Sequence, residues 1–199
     1  MPHLVNKNKI IPVIDFHCDL LGCVEHNCDL DFESPETNCS VPQLNAGNIL
    51  IQTLAIGTIT RQGSSQVAQR QVALYNDLLK KYPKTIDSIK NFSLNSKKTH
   101  CIFAIENASG LIEEDEHIDR AFECLEQFIS KEKIAYVSLT WNDENRFGGG
   151  NVSSKGLKPD GELLLKYLSQ KNIAIDFSHT SDALAEDILN FIDNKSLQI

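Results

Sequence analysis

Residues 100–140 read HCIFAIENASGLIEEDEHIDRAFECLEQFISKEKIAYVSLT. Residues 100–105 form a short apolar run, the pattern of a strand buried on both faces. After it, Ile118, Ala121, Phe122, Leu125, Phe128 and Ile129 recur at three-and-four spacing, which gathers them into one stripe on a helix. A second β-branched run then fills 134–140. Strand, helix and strand in that order predict parallel pairing through a right-handed crossover.

The pattern extends in both directions. Apolar runs at 10–16, 49–56 and 173–177 predict three more strands. Helical stripes are carried by Ala68, Val72, Tyr75, Leu79 and Tyr82, by Leu164, Leu165 and Leu168, and by Leu184, Ile188 and Ile192. Five strands alternating with helices define the α/β class, as a doubly wound sheet or a (β/α)8 barrel. Residues 20–48 form a long acidic connection and predict an irregular excursion. Residues 142–158, with Gly148-Gly149-Gly150 and Ser153-Ser154, predict a mobile loop or a passive linker. Lys131-Glu132-Lys133 predicts a solvated helix end, where lysines suit the dipole.

Composition narrows the function. The 199 residues are 41% hydrophobic and 23% charged, enough for one globular domain spanning 1–199. Acidic residues outnumber basic ones 27 to 19, so no basic footprint for nucleic acid exists. The six cysteines include no CxxC pair, the start of the chain has no signal-like apolar stretch, and no run reaches the ~18 residues of a membrane span. These features predict a cytoplasmic chain with reduced thiols and no membrane partner.

The strand ends carry the chemistry. The first is followed by His17-Cys18-Asp19, the third by Glu106-Asn107, and the fifth by Ser178-His179. In an extended strand His17 and Asp19 share a face. In a barrel, the C-terminal strand ends converge, so an imidazole and carboxylates distant in sequence meet at one place. These are residue types that ligate divalent metals. Each also has a plainer reading, since Glu106 suits a helix start and His179 precedes a helix N-cap near Ser181. His3, His26, His100 and His117 are read as having no site role, in a tail, a loop, a strand start and a helix start.

The segments Ile14-Asp15-Phe16-His17-Cys18-Asp19-Leu20, Ala104-Ile105-Glu106, Val137-Ser138-Leu139-Thr140-Trp141-Asn142, Gly156-Leu157 and Ile175-Asp176-Phe177-Ser178-His179 resemble, in order, the motifs of the membrane dipeptidase (renal dipeptidase) family of zinc peptidases, in its bacterial type. The resemblance implies an incomplete (β/α)8 barrel with about five βα units, and hydrolysis of dipeptides by a metal-activated bridging water. It implies two zinc ions, with His17 and Asp19 on the first, Glu106 bridging both as the catalytic carboxylate, and His179 on the second. Asp15 and Asp176 would orient these ligands, and Trp141 and Asn142 would contact substrate. Trp141 stands where mammalian members carry a histidine, and its large apolar face suits a pocket wall.

The resemblance also implies a further strand beyond Ile199, with a second histidine for the second zinc, an arginine for the substrate carboxylate and a proton-handling aspartate. The chain therefore reads as C-terminally shortened, needing those strands for full activity or standing as an inactive remnant that binds metal or protein. Open first and fifth strand edges predict self-association or pairing with a complementing second chain. Another metal-dependent barrel hydrolase is a third reading. Asp19 counts against it, because many of those enzymes begin with His-x-His.

Overall fold

The computed structural model describes residues 11–199; Ile10, expected to open the first strand, His3 and the rest of the N-terminal segment lie outside the described residues. Six strands and six α-helices follow in the order β1 (Val13–Cys18), α1 (Leu20–His26), α2 (Val41–Ala46), β2 (Ile49–Gly57), α3 (Ser64–Lys81), β3 (Ile86–Ser88), β4 (Thr99–Glu106), α4 (Asp119–Lys131), β5 (Ile134–Ser138), α5 (Pro159–Lys171), β6 (Ala174–Asp176) and α6 (Asp182–Lys195). All pair in parallel, in the sheet order β1-β2-β4-β5-β6. This is the α/β architecture of a half-barrel.

The added strand, β3, pairs with Thr99–Cys101 at the start of β4, while β5 joins β4 from Phe103 onward. Three residues, two of them polar, leave no periodic signal in the sequence. β2 and β4 run in register from Ile51 opposite His100 to Gly57 opposite Glu106. Alternation sends Leu54, Ile56, Phe103 and Ile105 to one face, where they are buried in the apolar core with Ala68, Val72 and Tyr75 of α3. The Tyr75 and Phe103 rings meet edge to face, with centroids 4.6 Å apart.

Several expectations are corrected. The 20–48 connection is not wholly irregular: α1, a 3-10 turn at Pro35–Thr37 and α2 occupy it. The Ser40 backbone N–H donates to Gln43 Oε1 at 2.9 Å, a helix-capping signal present in the sequence at Ser40-x-x-Gln43. His26 ends α1 rather than lying in a loop. Glu132 is not solvated but fully buried, taking the Tyr75 hydroxyl at 2.5 Å and the Lys133 N–H at 2.8 Å. A buried carboxylate is tolerated there because hydrogen bonds replace its lost water.

The 142–158 segment is a packed loop. Asn145 donates to Leu139 O (2.7 Å) and Asn107 Oδ1 (3.0 Å), and its own Oδ1 receives the N–H groups of Phe147 and Gly148. Phe147 is fully buried, and Gly150 bridges to Thr180. A Cβ on Gly148 would stand 2.7 Å from Leu184 Cδ1, and one on Gly150 would collide with Trp141 O, so the glycines here serve close approach rather than motion.

β1 and β6 bound the sheet, and β1 leaves Ile14 and Phe16 exposed, Phe16 at 69%. Among the described residues no helix is long and apolar enough to cross a membrane. Packing of the loop makes a prediction: Phe147→Ala should lower unfolding stability by about 3–5 kcal/mol, whereas Val152→Ala, at a side chain 74% exposed in the same loop, should stay within about 0.5 kcal/mol of the parent. Urea unfolding of both variants checks this.

Candidate metal centre

The site lies where β1, β2, β4 and the turn after β6 end together. β1 continues to Cys18, so His17 sits inside the strand, and Asp19 is not extended but stands at the N-cap of α1 with φ −95° and ψ 24°. Asp19 thus meets His17 through the turn into α1 rather than through strand alternation. The two side chains approach with His17 Nε2 3.4 Å from Asp19 Oδ1.

Glu106 ends β4 and presents a different oxygen to each side. Its Oε2 is 3.7 Å from His17 Nε2, and its Oε1 is 3.2 Å from His179 Nε2. One ligand atom from each of His17, Asp19 and Glu106 falls within 4.8 Å of the others. His179 lies outside that trio, on the far oxygen of Glu106. Gly57, opposite Glu106 in the ladder, makes this possible: a Cβ there would stand 3.1 Å from Glu106 Oε2. Gln71 of α3 fixes the Gly57 peptide from both sides, accepting from its N–H (3.0 Å) and donating to its carbonyl (2.7 Å).

The local backbone is held in uncommon conformations. Asn107 (φ 74°) and His179 (φ 63°) occupy positive φ, a costly region for residues with a Cβ. Asn107 is anchored by bonds to Thr58 O, Thr60 and Asn145, and the His179 carbonyl accepts from Thr140 Oγ1 at 3.2 Å.

The remaining expected residues are placed as follows. Asp15 Oδ1 accepts the His17 backbone N–H at 3.1 Å. Asp176 accepts from Ser138 Oγ (2.7 Å) and from Ser178, and its hydrogen bonds reach no candidate ligand. Asn142 Oδ1 lies 3.3 Å from His179 Nδ1, and the Trp141 ring is 5.9 Å from the His179 ring. Trp141 lines a cavity of about 360 Å³ together with Asp19, Gly22, Glu25, Arg61 and Glu106. A second cavity, of about 390 Å³ at the start of α6, contains none of the four candidate ligands.

Sequence reasoning missed Gly57, Gln71 and Tyr136. The Tyr136 hydroxyl crosses from β5 to β1, 2.8 Å from His17 Nδ1 and 2.9 Å from Phe16 O. Burial, then the surrounding carboxylates, hold this phenol above its ordinary range, so it stays protonated. Its place in the β5 run followed from the sequence; its reach across the sheet did not.

Charge is crowded here. Burial first, then Asp19, push Glu106 above the usual carboxylate range, with the two imidazoles opposing. Asp19, chiefly by hydrogen bonding, raises His17 above 6.5. A nitrogen donor and two carboxylates converging on one point, with mutual repulsion for a cation to relieve, fit a divalent metal.

A family model, Membrane dipeptidase (Peptidase family M19), matches residues 6–193, so the chain belongs to the membrane dipeptidase family. No curated protein sequence matched the chain. Among solved structures it is similar to dipeptidase AC, described as a metallo peptidase of family M19, with a TM-score of 0.74 at 17% identity over 92% of this chain and 61% of that one. It is also similar to a metallo peptidase from Rhodobacter sphaeroides liganded with a phosphinate mimic of the dipeptide L-Ala-D-Ala, with a TM-score of 0.71 at 16% identity over 92% and 63%. A third similar structure is the probable dipeptidase PvdM from Pseudomonas aeruginosa, with a TM-score of 0.65 at 14% identity over 89% and 49%. At these identities the likeness shows the fold. The chain spans about three-fifths of the first two.

The raised His17 value yields a pH prediction. The Asp19 carboxylate favours the imidazolium, so its stabilising effect is fully present below the unfolded value of 6.5 and is lost as pH rises through the higher folded value. Asp19→Asn should therefore move the His17 titration midpoint downward, read by NMR on the metal-free chain. A midpoint unchanged by the substitution would contradict the pairing.

Proposed function

We propose that the chain supplies the metal-binding part of a zinc-dependent dipeptidase, with His17 and Asp19 holding a first zinc, Glu106 bridging to a second, and His179 completing this chain's share of the second. The observation that carries this reading is the Glu106 carboxylate, whose two oxygens face His17 and His179 separately. A carboxylate placed between two such positions would serve a divalent cation at each. When bound, such a pair supplies an acidified water nucleophile and polarises the scissile carbonyl.

The chain's own groups set the rest. Glu106 is the carboxylate that reaches both imidazoles, one oxygen toward each. Trp141 walls the cavity beside it, and a volume of about 360 Å³ is within the range of small-ligand sites. Dipeptides are the substrate class, supported by the family and by the dipeptide mimic described for the Rhodobacter sphaeroides protein. Asp15 steadies His17 through its backbone, while Asn142, with its oxygen beside His179 Nδ1, acts on that ligand as well as on substrate.

In this reading residues 1–199 form one domain, the N-terminal portion of a metallo-dipeptidase barrel, and turnover needs further strands to close the sheet beyond β1 and β6. The free thiols recorded for all six cysteines suit a cytoplasmic setting.

Metal analysis of the dialysed protein tests the ligand set. Asp19→Ala should lose one zinc equivalent, His179→Ala the other, and Glu106→Gln should weaken both; unchanged stoichiometry in all three overturns the assignment. Activity is tested with L-Ala-D-Ala and zinc, using the chain alone and mixed with a polypeptide that supplies the remaining barrel strands. Zinc-dependent release of alanine, abolished by Glu106→Gln, is expected from the mixture. Zinc binding without turnover in either case would reduce the chain to a metal-binding module.

A further inference from the structure

The Tyr136 hydroxyl has two polar neighbours and one proton. Phe16 O, 2.9 Å away, is a carbonyl oxygen and only accepts. His17 Nδ1, 2.8 Å away, donates or accepts according to its tautomer. If Tyr136 gave its proton to Nδ1, the hydroxyl and the Phe16 carbonyl would face each other lone pair to lone pair. Both contacts are satisfied in only one way: Tyr136 O–H donates to Phe16 O, and His17 Nδ1–H donates to the Tyr136 oxygen.

That arrangement has a consequence at the other ring nitrogen. A neutral imidazole carrying its proton on Nδ1 has its free lone pair on Nε2, and Nε2 is the atom facing Asp19 Oδ1 and Glu106 Oε2. We propose that Tyr136 is a positioning residue that fixes the Nδ1–H tautomer and the ring orientation of His17, so that Nε2 meets the metal as a ready ligand. The inference rests on the reading of His17 as a ligand, and it adds a residue from the opposite side of the sheet to that site.

The bond works because Tyr136 has no freedom to reverse it. Its ring is half-buried on β5, and the Phe16 carbonyl that commits its proton belongs to the residue preceding His17. Ring and backbone of the same strand segment are therefore held by one oxygen. Partners that hold a metal-binding histidine in this way typically change metal affinity about 10–100-fold when removed.

The test reads the tautomer directly. The 199-residue chain, labelled with 15N-histidine, is examined by long-range 1H–15N NMR without metal, at a pH above the His17 titration, and again after addition of zinc chloride. Neutral His17 is expected to carry its proton on Nδ1 in both spectra. Tyr136→Phe, which keeps the ring, should shift metal-free His17 toward the Nε2–H form and weaken zinc binding about 10–100-fold. Tyr167→Phe, at a tyrosine paired with Glu126 on another face, should change neither readout.

A wild-type His17 protonated on Nε2, or a Tyr136→Phe chain with unchanged tautomer and unchanged zinc affinity, overturns the proposal. Should Tyr136→Phe fail to fold, the wild-type spectrum still decides. Because the metal-free tautomer requires neither zinc nor substrate, it stands or falls separately from dipeptide hydrolysis.

Discussion

The parallel register of β2 against β4 is the constraint on which the site depends. Seven successive pairs, from Ile51 with His100 to Gly57 with Glu106, fix which face each β4 side chain takes. A slip of one residue would send Glu106 into the helix-covered face and bring Ile105 to the site. The same ladder sets Gly57 beside Glu106, where a missing Cβ leaves room for the carboxylate. Gln71 of α3 then holds that strand end through both polar groups of Gly57.

Upon this frame the protein gathers groups that repel one another. Glu106 and Asp19 share a small space, and burial raises the cost of charging Glu106. Two imidazoles, His17 and His179, partly offset this. The positive φ values of Asn107 and His179 are further costs, sustained because Asn107, Asn145 and Thr140 hydrogen-bond the chain around them. Backbone strain and crowded charge at one point are the marks of a candidate functional site.

Much of the fold was legible because buried parallel strands and amphipathic helices leave strong periodic signals. The helix expected from the stripe at 118–129 corresponds to Asp119–Lys131, and the strand at 49–56 to Ile49–Gly57. Short or polar elements were not legible: β3 has only Ile86 as an apolar residue, and β5 leaves the ladder at Ser138 although Leu139 and Thr140 continue its pattern. The glycines at 148–150 read as flexibility, yet they pack against Leu184, Lys155 and Trp141. A glycine's composition signal is the same whether its missing Cβ allows motion or contact.

For the site, the sequence by itself determined the candidate donors His17, Asp19, Glu106 and His179 and their places near strand ends, because parallel strands deliver their C-terminal ends to one side. Only the tertiary structure decided that Glu106 divides its oxygens between the two histidines, that Asp19 arrives through a helix cap, and that Tyr136 reaches His17 across 119 residues of chain. Those facts depend on strand register, on a turn angle and on a span across the sheet. Local pattern encodes which face a residue takes, whereas the partner it meets there is set by how the strands are laid side by side.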